Sequence, residues 1–340
     1  MIGARPVLSL CGLASVARRR VILVTLGTVV CLSFATRVAA QETHVLVITG
    51  VSGDDEHAKA FHEWAVRFID AAKKKDGVRD ANITYLAEKT EADPARIRDR
   101  STRENVEKAM NAIAARAKAN DEVVILLIGH GSFDGKVAAF NLPGPDLTAA
   151  DWAKLLGKFT TQRVVFVNTS SSSGAFLPTV AGPGRTIVTA TKTGGERNET
   201  RFAEFFVEAF NDEAADSDRN GHVSILEAFD YARTKVTTAY QRDGLLLTEH
   251  ATLEDGAQGK LAGMVFLAAN PGTLLNVDTN DPEMRALVAK HDELDKQIAA
   301  LRLTKDSQNP ATYEQELERL LTELAVNTKA IRDLQAKKGQ

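Results

Sequence analysis

The stretch VVILLIGHGSFDG, residues 123–135, is the most hydrophobic run beyond residue 40, and it ends in a histidine between two glycines. Such an uninterrupted aliphatic run predicts a strand that is buried on both faces of a sheet. A second apolar run, RVVFVNTSSSSGAF at residues 163–176, predicts another such strand, with four serines where that strand ends. Because open parallel sheets bind ligands beyond the carboxyl ends of their strands, these two ends are the first candidates for a functional site.

Strand and helix patterns alternate along the rest of the chain, from THVLVITGV at residues 43–51 onward. Only one helical pattern, TAADWAKLLGKF at residues 148–159, lies between the two apolar runs, so their strands are expected to be neighbours. This alternation predicts a three-layer α/β fold with a mainly parallel sheet. In addition, Ser101 followed by Glu104 predicts a capping-box start to a helix, and GMVFLAA at residues 263–269 predicts a late strand.

The two strand ends together resemble the caspase-like fold of the legumain and caspase cysteine peptidases, the peptidase C13-like group. In that fold a His-Gly follows one hydrophobic strand, and the nucleophilic cysteine follows the next strand, commonly just before a Ser-Gly. His130-Gly131 matches the first element, and Ser173-Gly174 matches the second, which places the family's cysteine at Ser171. The resemblance covers roughly residues 43–269. It implies a catalytic pair at His130 and Ser171, with an oxyanion-binding amide at Gly131.

The serine at position 171 puts the family's chemistry in doubt. A thiol ionises near neutral pH, whereas a serine hydroxyl needs a histidine base that is itself oriented by a third group. No acid is marked for that role, and Asp134 and Asp146 are only nearby candidates. Three interpretations stay open at this point: a degenerate peptidase that binds peptide or protein, a weak serine hydrolase using Ser171 and His130, and a plain serine turn. Without a thiol partner, His130 also fits a structural, hydrogen-bonded histidine.

The stretch DSDRNGHVSILE, residues 216–227, matches the twelve-residue calcium loop of an EF-hand. Helical patterns flank it, and Gly221 stands at the sixth position, where the loop turns sharply. His222 would contribute its backbone carbonyl, Ser224 would act through water, and Glu227 would supply both carboxylate oxygens. The candidate metal ligands are Asp216, Asp218, Asn220, His222, Ser224 and Glu227. Oxygen-only ligation predicts Ca²⁺ as the cofactor, and the alternative is a polar loop that binds no metal.

Residues 1–40 have the layout of a secretory signal peptide, with basic residues, a short apolar run and small residues before Gln41. A periplasmic or secreted protein is therefore expected, and the alternative is an uncleaved membrane anchor. Without these 40 residues, 37 basic residues face 45 acidic ones, a net charge of −8, which argues against a nucleic-acid partner. The only cysteines, Cys11 and Cys31, lie in the same segment. Beyond it the chain has no disulfide, no thiolate zinc site and no cysteine nucleophile.

The expected domains are an α/β domain at residues 41–275 and an antiparallel, coiled-coil-like helical hairpin at residues 283–337. Mostly apolar residues there recur at alternating spacings of four and three, as in Leu287, His291, Leu294, Ile298 and Leu301. The hairpin fits a stabilising appendage, or an interface for an oligomer or a partner. The second possibility makes a calcium-stabilised assembly protein a further candidate function.

Two further histidines, His57 and His62, lie among acidic residues near the start of a helical pattern. Five residues turn a helix by about 140°, so the two imidazoles do not share a metal-binding face. We interpret both as solvated surface.

Overall fold

The computed structural model of the protein describes residues 42–119, 121–267, 281–303 and 309–338. The predicted signal at residues 1–40 and the predicted domain boundary at residue 275 lie outside these ranges. None of the helices in the described ranges has both the length and the apolar character needed to cross a membrane.

A mainly parallel, seven-stranded sheet forms the centre of the described chain. Its order is β10-β9-β8-β4-β1-β2-β3, and only β9 and β10 pair in antiparallel fashion. A smaller sheet has the order β5-β6-β7. The strands are β1 (Thr43–Thr49), β2 (Ile83–Ala87), β3 (Asp99–Arg100), β4 (Glu122–Ile128), β5 (Gly131–Phe133), β6 (Ala138–Phe140), β7 (Leu147–Thr148), β8 (Arg163–Asn168), β9 (Arg185–Thr189) and β10 (Thr252–Glu254).

Helices cover both faces of the large sheet. One buried cluster, which includes Phe68 and Phe206, packs α1, α5 and α6 against one face. A second cluster, which includes Met110 and Trp152, packs α2 and α3 against the other face. The helices are α1 (Asp55–Lys74), α2 (Arg103–Arg116), α3 (Ala149–Leu156), α4 (Leu177–Val180), α5 (Phe202–Ala209), α6 (Ile225–Arg242), α7 (Pro282–Leu303) and α8 (Pro310–Lys338). The predicted three-layer α/β class with a mainly parallel sheet is confirmed.

The two apolar runs form adjacent parallel strands, as predicted, with Leu127 of β4 opposite Asn168 of β8. All seven residues of β4 are buried, which agrees with a strand covered on both faces. The small sheet was not predicted. Its strands have only two or three residues each, too few to show an alternating pattern.

Two local predictions are wrong. Helix α2 is capped by Thr102, whose side chain accepts from the Asn105 amide, while Ser101 is buried and its hydroxyl finds no partner among the described residues. Of the predicted late strand, residues 268 and 269 lie outside the described ranges, and residues 263–267 take part in a short 3-10 turn at Ala262–Met264 and an isolated bridge between Phe266 and Ser224. This apolar stretch is buried against α6 rather than paired along a sheet, so its hydrophobicity resembled that of a strand.

Helices α7 and α8 run antiparallel to each other. Met284 and Val288, near the start of α7, share a buried cluster with Ile331, near the end of α8. A second cluster joins Leu301, at the end of α7, to Tyr313, at the start of α8. Inside this seam the Asn327 side chain donates to the Leu287 carbonyl at 2.9 Å. A buried polar residue that finds a partner in this way fixes how two helices align.

Candidate functional site

The carboxyl ends of β4 and β8 bring His130 and Ser171 to one pocket, and Gly131 contacts Ser171 beside it. Since the two strands are parallel neighbours, the loops that follow them leave the sheet at the same edge. The Cα of Gly131 comes so close to the serine turn that an added Cβ would lie 2.4 Å from the Ser171 carbonyl oxygen. Only glycine fits there without a backbone shift, and this contact fixes the distance between the two loops.

The four serines at the end of β8 form a tight, buried turn. Ser172 adopts a left-handed backbone conformation, with φ at +56°, which is strained for a residue other than glycine. Its hydroxyl donates to the Gly194 carbonyl at 3.0 Å. The Ser170 hydroxyl donates to the Asn168 side chain at 2.7 Å, and that of Ser173 lies 3.2 Å from the Thr191 hydroxyl. These three serines anchor the turn.

Ser171 is the serine whose side chain reaches the pocket. Only 7% of the residue is exposed, and its hydroxyl donates to the Gly131 carbonyl at 3.1 Å. The Gly131 amide in turn donates to the Ser171 hydroxyl over a long 3.4 Å. The amide predicted to bind an oxyanion therefore points at Ser171 and is only weakly engaged.

The His130 imidazole is oriented by a backbone carbonyl. Its Nε2 lies 3.1 Å from the Ser52 carbonyl oxygen, and since a carbonyl can only accept, Nε2 carries the proton. The side chain of Glu88 accepts from both the Ser52 amide and the Ser52 hydroxyl, at 3.1 and 2.7 Å. Among the described residues no hydrogen bond joins His130 to Ser171.

Neither acid suggested as an orienting group for His130 takes that role. Asp134 accepts from the amides of Lys136 and Val137 in the turn after β5, and these bonds lower its pKa. Asp146 accepts from the Leu142 amide at 2.9 Å. Both carboxylates satisfy backbone amides of nearby loops, which is a common use of aspartate in turns.

His57 lies beside this site, and its side chain is 24% exposed rather than fully solvated. Its ring lies edge-on to that of His130, with 5.1 Å between the ring centroids. Its Nδ1 lies 2.7 Å from Asp54, and its Nε2 lies 3.0 Å from Glu199. Hydrogen bonds to these two carboxylates, first to Asp54, raise the pKa of His57.

His62 lies away from the pocket, with its Nδ1 3.2 Å from the Tyr85 hydroxyl and its Nε2 3.7 Å from the Asp93 carboxylate. The expectation that His57 and His62 do not share a face is confirmed. The signal that could have placed His57 is its position just after β1, whose carboxyl end lies beside that of β4.

The pocket itself is small. Its volume is about 10 Å³, which is room for about one water molecule or one carbonyl oxygen. An amino-acid side chain does not fit inside it. Its walls are formed by Phe61, Trp64, Gly129, His130, Thr169, Ser171, Glu199, Thr200 and Ala203.

The second candidate site is the loop at residues 216–227, which lies between α5 and α6. Oxygen atoms of Asp216, Asp218 and Glu227 lie within 4.8 Å of one another. Gly221 has φ at +94° and Arg219 has φ at +58°, so the loop turns sharply, as a calcium loop does. Burial raises the pKa of Asp216 to about 6, and the nearby Asp218 and Glu227 carboxylates add to this rise.

The other predicted ligands have local partners in the loop. The Asn220 side chain accepts from the His222 amide at 2.8 Å, and Ser224 caps α6 in a reciprocal capping box with Glu227. Glu227 also accepts from the Ser217 amide at 3.0 Å, which folds its carboxylate toward the loop. Three converging carboxylates and further oxygen donors fit a hard divalent cation such as Ca²⁺.

No protein-family model and no curated protein matches this chain. Among solved structures, the chain is similar to protein GSU0716 from Geobacter sulfurreducens, a structural-genomics target, with 13% identity and a TM-score of 0.41. That similarity covers 63% of this chain and 92% of the other. The chain is also similar to the Drosophila initiator caspase Dronc, with 10% identity and a TM-score of 0.39, over 63% of this chain and 78% of the caspase.

Proposed function

We propose that this chain is a caspase-like protein that binds a peptide or protein segment at the His130–Ser171 pocket without cleaving it. One observation carries this proposal. The His130 imidazole and the Ser171 hydroxyl line the same pocket, yet each is hydrogen-bonded to a backbone carbonyl rather than to the other. The two members of the proposed pair share a pocket, while no hydrogen bond joins them among the described residues.

The chemistry of the two groups supports loss of catalysis. A serine nucleophile needs a base whose protonated form is stabilised, usually by a buried carboxylate. The partner of His130 is instead the neutral carbonyl of Ser52, which orients the ring but supplies no negative charge. A thiolate could be held by histidine alone, but residues 41–340 contain no cysteine.

The shape of the pocket supports binding of main chain rather than of a side chain. Its volume of about 10 Å³ admits a single oxygen atom, and the weakly engaged Gly131 amide lies beside it. A carbonyl oxygen of a bound segment could accept from that amide, as an oxyanion does in an active peptidase. Affinity would then come from main-chain contacts along β5, an outer strand of the small sheet, which begins at Gly131.

Calcium at residues 216–227 is the second part of the proposal. The ion would neutralise the crowded carboxylates of Asp216, Asp218 and Glu227 and stiffen the connection between α5 and α6. Since α5 packs against α1 on the same face of the sheet, the ion would act as a structural support for the domain.

Export and partner contacts complete the proposal. Residues 1–40 support a periplasmic or secreted location through their signal-like sequence. The α7–α8 pair supports an appendage or an interface with an oligomer or partner, because its two helices bury their apolar seam against each other.

A serine hydrolase is the second candidate function, favoured by the shared pocket of His130 and Ser171. The two candidates differ in one respect: a hydrolase releases products, whereas a binding protein returns its ligand intact.

The proposal is tested by incubating the immobilised protein with a peptide library in millimolar calcium and identifying the retained peptides by mass spectrometry. We expect retention of intact peptides by the wild type. Ser171→Met should reduce it, because the longer side chain fills the pocket. Val137→Met is the matched control, since Val137 is 48% exposed and lies away from the pocket walls. Binding at this pocket would be contradicted if the wild type retained no peptides. It would also be contradicted if Ser171→Met and Val137→Met retained equal amounts of peptide.

A further inference from the structure

The imidazole of His57 lies between two carboxylates from different parts of the chain. Asp54, which caps the start of α1, contacts Nδ1 at 2.7 Å. Glu199, from the loop between β9 and α5, contacts Nε2 at 3.0 Å. Glu199 and its neighbour Thr200 also form part of the pocket wall. The ion pair therefore ties the loop across the His130–Ser171 pocket to the helix on the other side.

Only a doubly protonated ring can hold both carboxylates. A neutral imidazole has one N–H, so its other nitrogen would present a lone pair to a carboxylate oxygen. Asp54 is held by a second bond, from the His57 amide at 2.9 Å, and stays in place. Glu199 is 60% exposed, and no other ion pair or hydrogen bond of its carboxylate occurs among the described residues. Loss of the proton therefore releases the Glu199 side of the bridge.

We propose that residues 197–199 form a strap at the edge of the pocket, which the His57 imidazolium holds closed and which opens when His57 loses a proton. The strap controls access to the site to which the proposed function assigns peptide binding, and its biological meaning rests on that function. The geometry of the strap stands independently of any ligand.

Other charged groups around the strap define its pH range. His130 is the remaining titratable group that faces His57, edge-on at 5.1 Å. The residues on either side of the strap are held by other groups: Glu196 pairs with His250 at 2.7 Å, and Arg201 pairs with Asp243 at 2.5 Å. The Thr200 hydroxyl donates to the Thr169 carbonyl, and the Arg201 amide donates to the Glu249 carboxylate at 2.9 Å. The pKa of His57 is raised by Asp54 and Glu199, so the closed form persists at acidic pH and is lost as the pH rises through that value.

The fluorescence of Trp64 can report whether the strap is open or closed. It forms part of the pocket wall, while Trp152, the other tryptophan of the chain, is fully buried. Acrylamide quenching of the full-length protein therefore reports changes at Trp64. Between about pH 5 and about pH 9 we expect the ratio of open to closed strap to rise about two- to fivefold, the range that a partly exposed ion pair supports, and the quenching constant of Trp64 to rise with it.

Matched variants identify the cause. Glu199→Gln should be open at both pH values, and NMR titration of the His57 ring should show a lower pKa in this variant. Two control variants should keep the wild-type response. They are His62→Gln, on the same helix as His57, and His250→Gln, which removes the ion pair with Glu196 next to the strap.

The proposed opening of the strap is contradicted if acrylamide quenching of the wild type does not change with pH. It is also wrong if the change survives in Glu199→Gln, or disappears in His62→Gln or His250→Gln. Because quenching needs no ligand, failure of the strap is distinguishable from failure of peptide binding.

Discussion

Ser171 differs from the serines beside it in what its side chain contacts. Ser170 and Ser173 are fully buried and bond to the side chains of Asn168 and Thr191. Ser172 is held in a left-handed conformation with its hydroxyl on the Gly194 carbonyl. Ser171 alone among the four lines the pocket that contains His130. A nucleophile placed at this position would therefore lie next to a histidine, which is a testable geometric statement.

Restoring a thiol tests that statement. In Ser171→Cys the imidazole of His130 can stabilise a thiolate, so we expect alkylation by iodoacetamide at least ~10 times faster than in Ser170→Cys or Ser172→Cys. Intact-mass spectrometry gives the three rates, and urea unfolding checks that each variant is folded. Equal, slow labelling at all three positions would mean that the serines form only a turn.

The close approach at Gly131 makes a second prediction. A Cβ in Gly131→Ala would meet the Ser171 carbonyl oxygen at 2.4 Å, so the two loops must move apart. We expect the free energy of unfolding to fall by about 1 to 3 kcal/mol, as for other overpacked sites. Gly195→Ala is the control, because its Cβ has 3.5 Å to the nearest atom. An equal loss of unfolding free energy in the two variants would show that the loops after β4 and β8 are not tightly packed at Gly131.

His57 shows why part of the site could not be predicted from the sequence. Its ion-pair partner Glu199 is 142 positions away in the chain, so no short-range sequence pattern indicates their contact. His130 and Ser171 were found because each directly follows a long apolar strand. Ser52, which orients His130, acts through its backbone carbonyl, and that role leaves no residue-type signal.

At the scale of elements, the loop between α5 and α6 couples an acidic cluster to a helix start. Glu227 caps α6 and also contributes to the carboxylate cluster with Asp216 and Asp218. Calcium binding should therefore stabilise the start of α6 as well as the loop.

We expect calcium to raise the melting temperature by a few degrees. A calcium concentration of about ten times Kd adds about 1.4 kcal/mol when only the folded loop binds. Glu227→Gln should remove this gain, whereas Asp230→Asn, an exposed change on the same helix, should keep it. Differential scanning calorimetry with calcium and with EDTA measures both. A wild-type melting temperature that is the same with and without millimolar calcium would exclude a calcium site at residues 216–227.

Long elements were predictable because their patterns follow from burial. Strands β1 and β4 are buried along their whole length, so both read as continuous apolar runs. The helical pattern at residues 148–159 likewise starts where α3 does, since Thr148 and Asp151 form a capping box at the start of that helix. The small sheet and the turn at Ala262–Met264 depend on tertiary contacts, which the local sequence does not encode.

At the scale of the whole molecule, one buried carboxyl ties stability to pH. Asp76 follows the end of α1, is 8% exposed, and burial raises its pKa to about 7. Nearby Lys75 only partly opposes this rise. The folded protein thus holds this proton to a higher pH than the unfolded chain does, and stability from this group falls as the pH rises from about 4 to about 7.

Asp76→Asn removes this ionisation. Relative to the variant, the wild type should lose roughly 2 to 4 kcal/mol of unfolding free energy between about pH 4 and about pH 8. Urea unfolding at both pH values gives the difference. Asp80→Asn, at a 78% exposed carboxyl, is the control and should follow the wild type. If Asp76→Asn and the wild type change in parallel, Asp76 is not a buried, unpaired acid.

The central claim is that this fold binds without cleaving, and the most direct measurement is product formation from the library peptides. Wild type, Ser171→Ala and His130→Ala are incubated with the same peptides in calcium, and the mixtures are analysed by mass spectrometry. The account predicts the same peptide masses in all three samples and in buffer, because the Ser171 hydroxyl bonds to Gly131 and not to His130. Cleavage by the wild type that disappears in both variants would contradict it and establish a serine hydrolase.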